Sequence, residues 1–207
     1  MKLAFALLAA LAASAAAQDA TLAKISGPVS IVGAGGRKAV AAKGGESLIY
    51  GDTIKVGKGG IAQIALKDRG AVLLREETVM TLTGTPRATA LSFRFGEFLI
   101  GLSKKLEKGQ TFKVRTASAV AAVRGTLFWG KGDKETKATT YAGFGHTVAV
   151  TAKGRTVLVT PGKTVTIPFG EAPADPVPST VTIDYAKNFA IDGGLQSLEK
   201  LVTDKTE

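Results

Sequence analysis

The apolar residues of this chain come in short runs with a period of two, separated by turn signals about every 8–12 residues. Ala62, Ile64 and Leu66 alternate with Gln63, Ala65 and Lys67, and Leu91, Phe93 and Phe95 alternate with Ser92 and Arg94. Val148 and Val150, Val157 and Val159, and Val165 and Ile167 repeat the pattern. Gly51-Asp52, Asp68-Arg69-Gly70, Lys153-Gly154 and Pro161-Gly162 supply turns between the runs. An extended chain sends successive side chains to opposite sides, so each run buries one face and needs partners to cover it. The expectation is an all-β fold: a compact wrapped sheet of many short strands, either sandwich-like or a short β-solenoid. Ile25, Val29, Ile31 and Val40 belong to a first hairpin region with Gly33 to Gly36 as its turn. Val72 and Leu74 are expected to pair with Met80 and Leu82. No fixed internal period appears, so a regular repeat protein is not expected.

The most informative stretch is FKVRTASAVAAVRGTLFWG, Phe112 to Gly130. Phe112 and Val114 fall on one face of a strand, Lys113 and Arg115 on the other. A small-residue segment, Ala117 to Ala122, leads into Val123, Arg124, Gly125 and Thr126; Leu127, Phe128 and Trp129 then read as a buried strand. Arg124 sits between apolar runs. An unpaired buried charge is too costly, so its guanidinium must find several acceptors or reach the surface. Gly125 directly after it marks a bulge, a turn or a close backbone approach. The rigid five-donor fork of arginine suits a role on backbone carbonyls, and contact with a partner is the other role open to it.

The string F-x-V-R-T-x-x-A-x-x-x-V-R-G-T-x-F, carried by Phe112, Val114, Arg115, Thr116, Val123, Arg124, Gly125, Thr126 and Phe128, resembles the signature of the FecR domain family, the periplasmic domain of the ferric-citrate regulator type. Gly27-Pro28-Val29 and the run from Gly51 through Ile54 to Leu66-Lys67-Asp68 are similar to the family's earlier strands. Ala142-Gly143, Val148 to Val150 and Pro161-Gly162-Lys163 are similar to its closing ones. The resemblance covers roughly Ala23 to Ile167. It implies a non-catalytic periplasmic module for sensing, signalling or protein binding. The motif residues would be structural or would face a partner. No stretch reads as the cytoplasmic anti-sigma segment, membrane helix or second domain that regulators of the family carry, so the resemblance implies the fold more directly than the signalling.

The ends of the chain differ from its middle. Met1-Lys2, then LAFALLAALAA, then an Ala-x-Ala end at Ala15 and Ala17, has the three parts of a secretory leader over residues 1–17. Its apolar core is shorter than the roughly 20 residues of a spanning helix. Cleavage is expected between Ala17 and Gln18, which makes the product periplasmic or secreted, with no membrane span in the mature chain. Residues 18–167 form the FecR-like β domain. Residues 168–193 are a Pro-rich linker or strap, with four of the seven prolines between Pro168 and Pro178. Leu195, Leu198, Leu201 and Val202 stand at helical spacing, so 194–207 reads as a short amphipathic helix that docks on the β domain, frays in solvent or binds a partner.

Composition removes most chemistry. There is no cysteine, hence no disulfide, thiolate metal site or cysteine nucleophile, and a single histidine, His146. Glu76-Glu77 and Asp133/Glu135 lack the spacing of a calcium loop. The glycine clusters at Gly33 and Gly57 lack the Lys-Ser/Thr of a phosphate loop. No catalytic residue, metal or cofactor is expected, and no enzyme. The aromatics lie in apolar runs rather than among exposed basics, which argues against a nucleic-acid platform. The formal net charge is +10, and +9 without Lys2. Such a balance points to anionic partners. Two functions follow: a FecR-type module with a protein partner, or a basic envelope protein that binds an anionic polymer such as lipopolysaccharide or peptidoglycan.

Overall fold

The structure, a computed structural model, describes residues 20–67, 69–102, 106–123 and 125–182. The alternating runs become strands: β1 (Ala20–Ser26), β2 (Val29–Val32), β3 (Val40–Ala41), β4 (Glu46–Leu48), β5 (Thr53–Val56), β6 (Ile61–Leu66), β7 (Gly70–Leu74) and β8 (Thr78–Gly84). The second half adds β9 (Ala88–Leu102), β10 (Thr111–Arg115), β11 (Val120–Val123), β12 (Leu127–Gly132), β13 (Thr139–Gly143), β14 (Val148–Ala152), β15 (Arg155–Val159), β16 (Lys163–Ile167) and β17 (Val177–Pro178). No helix occurs among the described residues, and the fold there is all-β.

The strands form two ladders that share β9. In the first, neighbours run β4-β1-β6-β7-β9-β12-β13-β16-β17. In the second they run β3-β2-β5-β8-β9-β10-β11-β14-β15. Every pairing between these strands is antiparallel except β9 with β10, where Thr111 to Arg115 run parallel to Ala88 to Ser92. From β5 onward each new strand extends its ladder in the same direction. β9 is the hinge of the arrangement. Its first half pairs with β8 and its second half, from Gly96, with β7 and β12. Gly96 makes the change of direction at a φ of 106°.

The inner faces of the two ladders bury one continuous cluster. Leu22, Ile64, Val72, Phe98, Ile100, Phe128 and Tyr141 come from the first; Ile54, Met80, Leu91, Phe112, Val114 and Val150 come from the second. The expected pairing of Val72 and Leu74 with Met80 and Leu82 does not form. β7 lies between β6 and β9 in the first ladder, β8 between β5 and β9 in the second. Alternation fixes which side of a strand meets the core and not which strand lies beside it, and these four residues line one core cluster from opposite ladders instead. After Ile167 the chain runs out and returns as β17 on the free edge of β16, pairing Pro178 with Lys163 and Val177 with Thr164. The expected leader over 1–17, Arg124, and the expected helix over 194–207 lie outside the described residues.

Candidate functional site

The motif occupies the centre of the second ladder and the adjoining first-ladder strand. β10 and β11 pair with Phe112 opposite Val123 and Val114 opposite Ala121. Phe112, Val114, Val123, Gly125, Thr126 and Phe128 are buried, Thr116 is half-buried and Arg115 is exposed. The alternation expected for Phe112, Val114 and Arg115 is therefore what the fold shows.

The two threonines of the motif tie distant strands together. The Thr116 hydroxyl lies 3.1 Å from the Tyr141 hydroxyl, receives the Thr139 hydroxyl at 2.9 Å and closes its own turn on Ala119. Thr126 donates its hydroxyl to the His146 carbonyl at 2.8 Å, while its own carbonyl accepts from Leu102 N–H at 3.0 Å. These bonds link β10 to β13 and β12 to the segment before β14. Nothing local in the sequence marks Tyr141 or Thr139 as partners of Thr116, because the contacts span more than twenty residues.

Tyr141 is fully buried, and burial pushes its hydroxyl above the ordinary tyrosine range, with the Thr116 hydrogen bond pulling the other way. A raised folded value favours the neutral form in the fold. The stabilisation is then whole below the unfolded value of about 10 and is lost as pH rises above it, at up to about 1.4 kcal/mol per pH unit. Denaturant unfolding through pH about 9 to 11 is expected to show a steeper loss of stability for the parent than for Tyr141→Phe. Equal slopes would show that this hydroxyl does not titrate on unfolding.

Beside the motif the outer face of the second ladder carries a groove of about 350 Å³ lined by Leu106, Phe112, Lys113, Ala122, Ala149 and Leu158, among others. Register aligns Lys113, Ala122, Ala149 and Leu158 across β10, β11, β14 and β15. Small residues in the middle leave the space, and Leu158, 60% exposed, stands at one end as an apolar contact with no cover. Lys113 supplies a positive charge on the same row.

The charges of the two ladders are distributed unequally. Apart from Glu97, which lies in the half of β9 that pairs in the first ladder, no Asp or Glu occurs in the second-ladder strands, which carry Lys55, Arg94, Lys113, Arg115 and Arg155. The first ladder holds Glu46 and Glu97 beside Lys24, Lys131 and Lys163.

Asp52, Asp133 and His146 serve local structure. Asp52, which reads as a turn residue in the sequence, is buried and accepts N–H groups from Ala34 at 2.9 Å and Ile49 at 3.0 Å. Asp133 closes the turn before β13. The Thr136 N–H and hydroxyl, then the Glu135 N–H and the nearby Lys131, hold its carboxyl below the ordinary range. His146 is exposed and contributes its carbonyl. Among the described residues no group of three His, Asp or Glu lies close enough to hold a metal ion. Among them, too, no helix is long and apolar enough to cross a membrane.

The family model described as FecR protein matches residues 52–144, so the chain carries a FecR domain over that span, from β5 to the end of β13. This is narrower than the expected Ala23 to Ile167, although the ladders continue beyond it at both ends. Two crystal structures from Parabacteroides distasonis ATCC 8503, each of a protein provisionally designated an anti-sigma factor, share the fold. One aligns with a TM-score of 0.57 at 21% identity, over 66% of this chain and 63% of its own. The other aligns with a TM-score of 0.54 at 22% identity, over 61% and 59%. The chain thus spans less than two thirds of either protein. No curated protein sequence matches the chain.

Proposed function

We propose that the chain is a regulatory signalling module of the FecR type, exported to the periplasm, that acts by holding a protein partner and not by catalysis. The FecR match over residues 52–144 carries this reading. The leader pattern over 1–17 and the designation of the two structural neighbours support it. The partner's contact is the groove beside the motif, because Phe112 and Val123 line it and Leu158 stands uncovered at its end. The matching surface is an apolar side chain flanked by a carboxylate that meets Lys113. Of the motif residues, Phe112 and Val123 line the groove, Val114, Gly125, Thr126 and Phe128 are buried, and Arg115 is exposed on β10.

A second reading rests on the excess of basic over acidic residues in the second-ladder strands: the basic outer face holds an anionic envelope polymer, lipopolysaccharide or peptidoglycan. One experiment separates the two. Tagged full-length protein is incubated with periplasmic extract and with envelope fragments, at low and several-fold higher salt. Exposed charges more than about 10 Å apart are already screened at 0.1 M. Under the first reading Leu158→Asp lowers capture of the protein partner about tenfold or more, the equivalent of about 1.4 kcal/mol, and Val40→Asp, an equally exposed apolar site on β3, leaves it intact. Under the second, retention on fragments falls with salt and with Arg94→Glu/Arg115→Glu while Leu158→Asp has no effect. Salt-resistant capture indifferent to Leu158 would overturn both.

A further inference from the structure

The strands β2, β5, β8 and β9 carry a second groove on the outer face of their ladder. It has a volume of about 350 Å³ and is lined by Thr53, Lys55, Val79, Thr81, Ser92 and Arg94, among others. It shares no lining residue with the groove beside the motif. Register builds it in two rows. Thr53, Thr81 and Ser92 stand side by side on β5, β8 and β9. In the next row Lys55 faces Val79, and Val79 faces Phe95. The pairing of β8 with β9 slips there, since Met80 faces Phe93, so Arg94 is the extra residue of a bulge. A bulge re-aims the side chain it adds, and Arg94 lines the groove from its β9 side.

The polar side chains here are donors, and no Asp or Glu lines the groove. Among the described residues the ion pairs are Arg37 with Asp52 and Arg155 with Asp175, so Lys55 and Arg94 have no carboxylate partner there. Both are exposed. Their strands are two apart, about 10 Å at the usual spacing, with Val79 between them. Two uncompensated cations so placed repel, and an anion seated between them turns the repulsion into attraction. The hydroxyls add neutral donors. Those of Thr53 and Thr81 lie 2.8 Å apart and share one bond, which leaves the proton of the accepting hydroxyl for a ligand. Thr83 gives its own proton to the Ala90 carbonyl at 3.1 Å and stands 3.5 Å from the Ser92 hydroxyl, too far for a strong bond, so Ser92 also keeps a donor.

Cations on two sides with hydroxyls beside them suit an anion of more than one charge and more than two oxygens. A phosphate monoester offers three terminal oxygens and a charge of about −1.5 to −2 at neutral pH, a carboxylate two oxygens and a single charge. The cavity lies at the small end of small-molecule sites and holds more than a bare phosphate, which leaves room for the sugar that carries it. We propose that this groove binds the phosphate group of a phosphorylated glycan, with Lys55 and Arg94 clamping its oxygens and the hydroxyl row donating to them. This rests on the second reading above and narrows its polymer to a phosphorylated one.

The test titrates full-length protein calorimetrically with a glucosamine disaccharide phosphorylated at both ends, with the same disaccharide after phosphatase treatment, and with inorganic phosphate. The phosphorylated disaccharide is expected to bind about tenfold or more tighter than the dephosphorylated one. Lys55→Gln/Arg94→Gln is expected to lower that affinity about tenfold or more, and Ser92→Ala, which keeps every charge, about threefold. Lys108→Gln/Lys153→Gln removes the same charge from two exposed turn positions and is expected to leave the affinity unchanged. Equal binding with and without the phosphates, or equal losses in the two double variants, would overturn the site. Inorganic phosphate that binds as tightly as the disaccharide would overturn the glycan as its source. Envelope fragments separate the groove from the reading beneath it. Fragments that fail to retain the parent would sink that reading, whereas salt-sensitive retention unchanged by Lys55→Gln/Arg94→Gln would sink the groove alone.

Discussion

Replacing Phe98 with alanine is expected to destabilise the protein by about 3–5 kcal/mol, read as a lower denaturant midpoint with an unchanged slope. The ring is fully buried and touches both ladders. It stacks on Phe93 at 3.9 Å between centroids, and meets Phe128 and Tyr141 edge-on at 6.3 and 6.5 Å. Opposite it stands Gly130, where an added Cβ would come within 2.3 Å of the ring. Gly130 has no side chain to collapse into the space, and the residual cavity adds to the lost transfer energy. Phe95, three residues earlier, is half-buried under the Lys134 ammonium at 5.4 Å. Its truncation is expected to cost about 1 kcal/mol or less, as an exposed cation–π contact and partial burial are worth. Equal losses at the two positions would show that the shared ring cluster is not what joins the ladders.

That cluster shows what could be read from the sequence and what could not. Phe93 and Phe112 fall on apolar positions of alternating runs, so their burial follows from a period of two, whereas Phe98 and Phe128 lie in continuous apolar runs that read as buried on both faces. The exposure of Arg115 and the burial of Val114 follow in the same way. The period cannot tell one core-facing neighbour from another, which is why Val72 and Met80 were expected side by side and stand on opposite ladders. Nor could it show that β9 passes through Gly96 without ending, because a glycine amid alternation reads as an interruption. Groups whose partners are remote in sequence were illegible. Asp52 looks like any turn aspartate until Ala34, eighteen residues earlier, donates to it. Trp129 reads as another core aromatic, yet it lies on the outer face with Glu97 as its partner. The groove is likewise a product of register: Lys113, Ala122, Ala149 and Leu158 come from four strands and share no local pattern.

Gly96→Ala is expected to be the most damaging single methyl group that can be added to this chain's hinge, at about 2–5 kcal/mol from backbone strain and overpacking together. Two independent effects act there. At a φ of 106° an L side chain meets its own backbone, whereas glycine does not. The new Cβ would also lie 2.4 Å from the Thr78 Cα and 2.3 Å from its hydroxyl. Thr78 cannot yield cheaply. It is fully buried, and its hydroxyl accepts the Glu97 N–H at 3.0 Å and lies 3.3 Å from the Glu97 carbonyl. A shift of Thr78 would therefore unmake the bonds that hold β9 at the point where it leaves one ladder for the other. Gly132 is the internal control, since it is the register partner of Gly96 on β12. A Cβ there would stand 3.4 Å from the nearest atom, an ordinary contact, and its φ is not positive. Gly132→Ala is expected to change stability by less than about 1 kcal/mol. Thermal and denaturant unfolding of the pair decide the point. If both substitutions were equally mild, the bend at Gly96 would have to be imposed by the flanking ladders alone, with no requirement for glycine at the hinge.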